Sequence, residues 1–248
     1  SNGTGVLVGL TNVGDVQGYR TENGQKIAIE GKLFYRGIEV RDLIAGFQAD
    51  GRFGFEETSY LLLFGKLPQP HELEEFNRLL GMNRALPDGF TEDMILKAPS
   101  TNIMNKLARS VLAAYSYDPN PDDISIENVL RQSIELIARF PTMVAYGYQA
   151  LSRYHNHKSL YIHNPQPHLS TAENLLHMIR PNSKYTRLEA ELLDLALGLH
   201  AEHSGGNNST FTIRVVTSTD TDTYSAVAAA VGSLKGGLAQ AALVEAGR

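Results

Sequence analysis

Apolar positions recur every three to four residues along most of the chain. Such a period predicts amphipathic helices, and glycine, proline and capping residues predict where they begin and end. The predicted helices cover residues 54–64, 70–80, 101–115, 124–140, 142–155 and 222–234. Pro141 separates two of them, and because proline lacks the N–H that a helix interior requires, we expect a kink or a new helix start there.

Two capping boxes predict further helix starts, Ser170-Thr-Ala-Glu173 and Thr186-Arg-Leu-Glu189. In each, the hydroxyl can accept a hydrogen bond from an early helix N–H while the Glu carboxylate reaches back to the cap. Residues 156–170 lie before the first box and are rich in polar and proline residues. This is the longest irregular segment, and we interpret it as a candidate functional loop.

Near the N-terminus, residues 26–30 and 32–37 have the composition of two short strands joined by a turn at Gly31. Helix is predicted for well over half of the remaining positions. The expected fold is therefore mainly α, a multi-helical domain with a short N-terminal β-hairpin.

Composition narrows the classes of function. Hydrophobic residues make up 42% of the 248 residues and charged residues 20%, which is typical of a globular protein. The net charge is −5, and the Lys and Arg residues form no basic block, so no nucleic-acid partner is expected. With no Cys, a disulfide scaffold, thiolate metal sites and a Cys nucleophile are excluded. The longest strongly apolar run, 226–231, is too short to span a bilayer, and no signal peptide is visible, which predicts a cytoplasmic protein without a membrane partner.

The helix that starts after Thr186 carries the main candidate for chemistry. Leucines at 188, 192, 195 and 199 predict its buried stripe, and four more residues lead to His203, just before Gly205 and Gly206. The spacing therefore predicts an inward-facing imidazole in the last helical turn. A buried imidazole needs hydrogen-bond partners, and the negative end of the helix dipole favours its protonated or donor form.

Residue spacing alone leaves alternatives open. His203 could be a core histidine that donates to a backbone carbonyl. Metal binding by His200 and His203 is disfavoured, since no carboxylate or Cys is spaced to complete the set, and no metal is expected. Four further histidines are irregularly spaced and are interpreted as solvated loop residues: His155, His157, His163 and His168. The sequence has neither a Gly-x-Ser-x-Gly elbow nor a phosphate-binding glycine loop.

Five ordered segments resemble the citrate synthase family. They are Leu33-Phe-Tyr-Arg-Gly37 with Ile38-Glu-Val-Arg-Asp42, Phe55-Glu-Glu-Thr-Ser-Tyr-Leu-Leu-Leu-Phe-Gly-Lys-Leu-Pro68, Phe140-Pro-Thr142, Ala172-Glu-Asn-Leu-Leu-His-Met178, and the run 199–236. The last is the most specific, with His-Ala-Glu-His, Gly-Gly-Asn and Ser-Thr-Phe-Thr in sequence. The resemblance covers about residues 27–236 and implies the family's large helical domain.

The resemblance implies a condensation of acetyl-CoA with oxaloacetate, followed by thioester hydrolysis to citrate and CoA. On the matching positions, His203 binds oxaloacetate and hydrogen-bonds its carbonyl, while Asn207 and Ser209 line the site, the Ser209 hydroxyl supporting the enolate-stabilising histidine. No cofactor is implied, because the CoA thioester is a substrate. The implied assembly is a homodimer joined through large-domain helices, for which the Ala-rich helix 222–234 is suited.

The sequence departs from the family after Lys235-Gly236, where the family has Pro-x-His-Gly-Gly-Ala-Asn. Residues 237–248 instead read Gly-Leu-Ala-Gln-Ala-Ala-Leu-Val-Glu-Ala-Gly-Arg and loosely resemble the family's C-terminal helix. The expected organisation is a large domain over 1–236 and a helical segment over 237–248, with the small domain, its catalytic Asp and its substrate Arg residues missing between them. We therefore expect this chain alone to be inactive and its parent to be a citrate synthase.

Two other functions remain open at this point. One is a 2-methylcitrate synthase that uses propionyl-CoA, since the residues of the acyl pocket are not in this chain. The other is a non-catalytic helical dimerisation or binding module of the same ancestry.

Overall fold

A computed structural model describes residues 11–202 and 207–236, and this part of the chain is mainly α, as predicted. The α-helices are α1 (Val40–Ala49), α2 (Phe55–Phe64), α3 (Pro70–Met82), α4 (Ile103–Ala114), α5 (Ile126–Tyr154), α6 (Thr171–Ile179), α7 (Arg187–Leu199), α8 (Asn208–Thr217) and α9 (Thr223–Ser233). A π-helical turn spans Thr91–Leu96 and a 3₁₀ turn spans Tyr115–Tyr117. None of the described helices has the length and apolarity needed to cross a membrane.

The N-terminal strands form a three-stranded antiparallel sheet of β1 (Gly14–Glu22), β2 (Gln25–Tyr35) and β3 (Ile38–Glu39). The predicted turn at Gly31 is wrong, because β2 runs through that position without a break. The chain turns instead at Asn23-Gly24 and Arg36-Gly37, each a pair of residues with positive φ. Asn-Gly is a preferred pair for a two-residue hairpin turn of this kind, so Asn23-Gly24 predicts the turn better than Gly31 does.

Most predicted helices are confirmed. The pair expected on either side of Pro141 is one continuous helix, α5, so no new start occurs there. The first-turn position of Pro70 in α3 is also as expected, because its missing N–H would have no partner inside the helix. Helix α8 and the π-helical turn were not predicted, since both are short and lack a clear apolar period.

The capping boxes are confirmed in full. At α6, Ser170 Oγ accepts from the Glu173 N–H, and the Glu173 carboxylate accepts from the Ser170 N–H. At α7, the Glu189 carboxylate accepts from the Thr186 N–H at 2.7 Å, and the Thr186 hydroxyl accepts from the Glu189 N–H at 3.3 Å. These contacts are local in sequence, which is why residue order alone predicts them.

The described residues fall into two compact units, one of 11–73 with 191–202 and 207, the other of 74–190 with 208–236. The smaller unit has a core of Tyr35, Val40, Leu43, Phe47 and Leu61. The core of the larger unit is built mainly by α4, α5 and α9 and includes Val111, Met143, Tyr146, Tyr224 and Val231. The predicted division at residue 236 stays a prediction, because 237–248 lie outside the described residues.

Candidate functional site

The end of α7 leads into the segment that carries the candidate histidine. This helix ends at Leu199, and the next imidazole, that of His200, is exposed and donates from Nδ1 to the Ala196 carbonyl at 2.7 Å. His203 lies in the gap at 203–206, outside the described residues. The described backbone closest to it is that of Glu202, so the site is best understood from the groups that hold residues 198–202.

Tyr35 holds the end of α7. Its side chain is fully buried, and its hydroxyl oxygen lies 2.9 Å from the Gly198 carbonyl oxygen and 3.1 Å from that of Leu199. The same oxygen accepts from the Glu202 N–H at 3.4 Å. The last carbonyls of a helix have no partner within the helix, and here a tyrosine from the N-terminal sheet supplies one. Burial raises the pKa of Tyr35, so its hydroxyl stays protonated as a donor.

Asp194, one turn earlier on α7, caps the start of α2. Its side chain is buried, and its carboxylate accepts from the Gly54 N–H at 2.7 Å and the Phe55 N–H at 3.2 Å. A carboxylate at a helix N-terminus is stabilised both by these N–H groups and by the helix dipole. Four residues further along α7, Gly198 faces Thr58, the residue four positions into α2. The two helices are therefore held in a fixed register over one turn.

Arg36 caps the opposite end of α2. Its Nε and Nη2 atoms donate to the Leu62 carbonyl at 3.1 and 2.7 Å, and Nη1 donates to Asn12 Oδ1. The helix then ends at Gly65 in the left-handed conformation. The last residue of β2, Tyr35, and the turn residue that follows it, Arg36, thus satisfy the C-terminal carbonyls of two different helices. The segment 33–37 therefore has a structural role, because Tyr35 and Arg36 hold the ends of α7 and α2.

The predicted buried leucine stripe of α7 is wrong. Leu188 is 63% exposed, Leu192 58% and Leu199 41%, whereas Ala190 and Asp194 are buried. Of the four leucines, only Leu195 packs against a core cluster. The leucines do share a face, but the buried residues of α7 include a small and an acidic one, Ala190 and Asp194, and the Asp194 carboxylate binds the start of α2. The argument that placed His203 inward by extending that stripe therefore fails, and its role depends on the resemblance alone.

The other two candidate residues flank the start of α8. Asn207 precedes the helix and Ser209 lies in its first turn, and both side chains are half-buried. Between them, Asn208 Nδ2 donates to the Ser233 carbonyl at 3.0 Å, which ties the start of α8 to the end of α9. The predicted lining role of Asn207 and Ser209 stays a prediction.

The irregular segment 156–170 is confirmed, and side chains from α6 and from the loop after α3 hold its second half. Asn174 is fully buried, accepts from the Gln166 N–H at 2.7 Å and donates to the Gln166 carbonyl at 2.9 Å. The buried Arg84 guanidinium donates to the carbonyls of Gln166 and Leu169. The backbone N–H and C=O groups of this irregular segment thus find hydrogen-bond partners in buried side chains, because buried backbone polar groups need such partners.

The histidines of this segment are mostly exposed, as predicted. His155, His157 and His168 are exposed, whereas His163 is half-buried and its Nε2 donates to the Pro181 carbonyl at 3.1 Å. The described residues contain no cluster of three or more histidine or carboxylate side chains that could hold a metal ion.

Sequence reasoning missed three residues that shape this region: Tyr35, Arg36 and Asp194. Tyr35 and Arg36 belong to a quoted motif, but nothing in their spacing points to helices more than twenty residues away. Asp194 resembles any polar position of an amphipathic helix until the contact with Gly54 is seen.

Known proteins match this chain over most of its length. A family model described as the C-terminal domain of citrate synthase matches residues 3–247. The citrate synthase of Deinococcus radiodurans is 36% identical over 212 residues, which are 84% of this chain and 52% of that protein. The 2-methylcitrate synthase 1 of Corynebacterium glutamicum is 34% identical over 211 residues, 83% of this chain and 52% of that protein.

Solved structures give the same result. The crystal structure of citrate synthase from Pyrobaculum aerophilum superposes with a TM-score of 0.77 at 32% identity, covering 94% of this chain and 54% of that one. The chain spans about half the length of the curated relatives it matches. With a family match over nearly every residue and the same helical architecture, this chain belongs to the citrate synthase family.

Proposed function

We propose that this chain is the large-domain part of a citrate synthase, which condenses acetyl-CoA with oxaloacetate to give citrate and CoA. The observation that carries the proposal is the family match over residues 3–247, which includes the His-Ala-Glu-His segment at the end of α7. The reaction joins the methyl carbon of the thioester to the ketone carbon of oxaloacetate. In the cell we expect this activity in the cytoplasm, at the entry of the tricarboxylic acid cycle.

His203 is proposed to bind oxaloacetate and to donate a hydrogen bond to its ketone oxygen. A donor at that oxygen stabilises the negative charge that develops as the new carbon–carbon bond forms. Asn207 and Ser209 are proposed to line the oxaloacetate site, and no cofactor is expected, because the CoA thioester is a substrate.

The reaction also requires groups that we propose lie outside these 248 residues. A carboxylate must take the methyl proton, a second neutral donor must stabilise the enolate, and guanidinium groups must hold the two carboxylates of oxaloacetate. No histidine follows His203 in the sequence. Loss of a single preorganised donor costs about 10²–10³ in rate. We therefore propose that this chain alone has no measurable turnover, whereas its parent is active.

An assay of CoA release tests this proposal on the purified chain with both substrates present. The expected result is no release above the rate without protein, and robust turnover would show that the catalytic residues have been assigned wrongly. Calorimetry with oxaloacetate then tests whether the site residues of this chain, His203, Asn207 and Ser209, bind that substrate on their own. We expect weak or undetectable binding, and any binding that is seen should disappear in His203→Asn.

A 2-methylcitrate synthase is the second candidate, and the similarity to the Corynebacterium glutamicum protein of that name supports it about as well. The two activities differ by one methylene in the acyl group, which a hydrophobic pocket distinguishes by roughly 1–3 kcal/mol. The ratio of kcat/KM for acetyl-CoA and propionyl-CoA, measured on the parent enzyme, decides between them.

A non-catalytic helical module of the same ancestry is the third candidate. We expect a homodimer, as the family resemblance implies, although α9 packs its Ala-rich face against α4 and α8 within the chain. Light scattering of the purified chain measures its mass directly. A dimer without oxaloacetate binding, together with an inactive parent, would favour the module over the enzyme.

A further inference from the structure

An asparagine followed by a glycine forms the tip of the β1–β2 hairpin. We propose that Asn23 is a site of spontaneous deamidation. The Gly24 backbone nitrogen attacks the Asn23 side chain when the hairpin tip opens, and the isoaspartate that results keeps the tip open. This inference concerns the hairpin alone and is independent of the proposed function.

The reaction needs only water and base. The Gly24 nitrogen loses its proton to hydroxide and forms a bond to Asn23 Cγ, while the Cγ–Nδ2 bond breaks and the leaving nitrogen takes a proton from water to become ammonia. Water then opens the five-membered succinimide ring. Cleavage of the bond from nitrogen to Cγ gives aspartate. Cleavage of the bond from nitrogen to the main-chain carbonyl carbon gives isoaspartate, whose main chain runs through Cβ and Cγ.

The reacting groups are open to solvent. Every residue from 19 to 28 is exposed, and a Cβ atom built on Gly24 would meet no atom within 4 Å. Because glycine has no side chain beside its nitrogen, that atom can approach the Asn23 amide without a steric clash. Among the asparagines of the described residues, Asn23 alone precedes a glycine; the other Asn-Gly pair, Asn2-Gly3, lies outside them.

The closed turn protects Asn23. Ring closure requires the Gly24 nitrogen to eclipse Asn23 Cβ about the Cα–C bond. The two residues instead have φ values of 49° and 78°, which are typical of the left-handed pair in a type I′ hairpin turn. In that turn the nitrogen lies almost opposite Cβ about the same bond. Deamidation therefore proceeds from an open tip, and its rate reports how often the tip opens.

Few interactions hold the tip closed. An irregularity between Gln17 and Tyr19 separates it from the rest of the ladder, and beyond that point the paired residues are Tyr19–Ala28, Arg20–Ile27, Thr21–Lys26 and Glu22–Gln25. Because all of these residues are exposed, their pairing gains little from burial, and a two-stranded hairpin is marginally stable without it. The Lys26 ammonium lies 4.4 Å from the centroid of the Tyr19 ring and joins the two strands at this end.

The two products affect the turn differently. Asp-Gly is also a preferred pair for a two-residue turn, so the aspartate product leaves the hairpin closed. Isoaspartate adds one carbon to the main chain between Glu22 and Gln25, which are paired across the turn. The loop length sets the register of a hairpin, so the longer main chain no longer supports this pairing. The tip therefore stays open after isoaspartate forms.

The test follows the tryptic peptide 21–26 of the full 248-residue chain during incubation at mildly alkaline pH. This peptide contains Asn23 and no other asparagine, so a mass gain equal to the replacement of NH₂ by OH locates the reaction. Synthetic peptides with aspartate or isoaspartate at position 23 identify the two products by their retention times. Asn23→Asp is the chemical control, because any further gain in that variant comes from Gln25.

Tyr19→Ala tests whether opening of the tip controls the rate. It removes the ring beneath the Lys26 ammonium and leaves the sequence of residues 21–26 unchanged. The matched control is Tyr154→Ala at the end of α5, since Tyr154 is 48% exposed and Tyr19 53%. We expect Tyr19→Ala to speed deamidation by about two- to fivefold, the factor that corresponds to loss of an exposed cation–π contact. Tyr154→Ala should leave the rate unchanged.

Three outcomes overturn the proposal. One is no mass gain in the folded chain over a time in which a synthetic peptide of residues 19–28 is converted, because the tip then does not open. Another is an equal rate in the unaltered chain and in Tyr19→Ala, because opening then does not control the reaction. The third concerns the purified isoaspartate form. Amide hydrogen exchange at residues 19–28 as slow as in the unaltered chain would show that isoaspartate leaves the tip closed.

Discussion

Asp118 lies between the 3₁₀ turn and α5, and its side chain is only 1% exposed. Its carboxylate accepts from the Tyr224 hydroxyl at 2.6 Å, from Arg131 Nη2 at 2.8 Å and from Gln132 Nε2 at 3.0 Å. Burial opposes ionisation, but the hydrogen bonds from Tyr224, the Asn120 N–H and Arg131 outweigh it and lower the pKa of Asp118 to about 2. One carboxylate therefore ties α9 to the start of α5.

Replacement of this carboxylate should be costly. We expect Asp118→Asn to lower the free energy of unfolding by about 2–4 kcal/mol, because the amide keeps the shape but removes the charge and replaces one acceptor oxygen with an NH₂ group that cannot accept from Arg131 or Tyr224. Urea unfolding at pH 7 measures the loss. The control is Asp122→Asn, whose exposed carboxylate also accepts from a tyrosine, Tyr115. A change above about 1 kcal/mol in that control would show that burial is not the deciding factor.

Asp118 should also make the free energy of unfolding decrease in acid. The pKa of Asp118 is lower in the folded protein than in the unfolded chain, so the folded state binds fewer protons. The stabilisation is therefore complete above about pH 4 and is lost as the pH falls toward 2. Linkage gives about 2 kcal/mol for this group. Unfolding curves of Asp118→Asn should lack this part of the acid dependence.

At the scale of elements, α3 is held close to the irregular segment by a glycine. A Cβ atom at Gly81 would lie 2.3 Å from the Pro167 carbonyl oxygen, which belongs to the backbone and cannot swing aside. We expect Gly81→Ala to destabilise the protein by about 1–3 kcal/mol. Gly232→Ala in α9 is the control, because no atom lies within 4 Å of the added carbon. It should stabilise by roughly 0.5–1 kcal/mol, and similar losses in both variants would contradict the steric argument.

Local sequence rules predicted the ends of elements well and their buried faces less well. The Ser170 and Thr186 caps depend on residues three positions apart, so the sequence contains all the information they need. The leucine period of α7 correctly groups the residues of one face. Which face is buried depends on the contact with α2, where the Asp194 carboxylate accepts from Gly54, a residue 140 positions away. The contact of Tyr35 with Gly198 spans 163 positions. Such contacts depend on the fold as a whole, and the hydrophobic periodicity of one helix does not predict them.

The candidate site residues also show how little spacing along the sequence says about contacts in the fold. His203, Asn207 and Ser209 were assigned from their motif, because the one spacing argument, which placed His203 inward on the leucine stripe, fails. Tyr35 and Asp194 act through backbone atoms, and backbone atoms leave no mark in a sequence. A motif match therefore identifies candidate site residues, but not the side chains that hold the neighbouring backbone.

For the molecule as a whole, Lys106 determines how stability changes in mild alkali. This lysine is buried, and its ammonium group donates to the carbonyls of Met94 and Ala98, where the π-helical turn ends. Burial and, to a lesser extent, the nearby Arg109 lower the pKa of Lys106 to about 8. Below that pH the folded protein contains a buried charge that the unfolded chain exposes to water without cost.

Because the unfolded chain binds this proton more tightly, the free energy of unfolding should rise as the pH increases from 8 toward 10, by about 2 kcal/mol for this group. Above pH 10 the trend should reverse, since burial raises the pKa of Tyr35, Tyr146 and Tyr224, and the unfolded chain loses their protons first. Chemical unfolding at half-unit pH steps measures this profile. Lys106→Met should abolish the rise between pH 8 and 10, whereas the exposed Lys184→Met should keep it. A rise that persists in Lys106→Met would mean that another group carries the alkaline dependence.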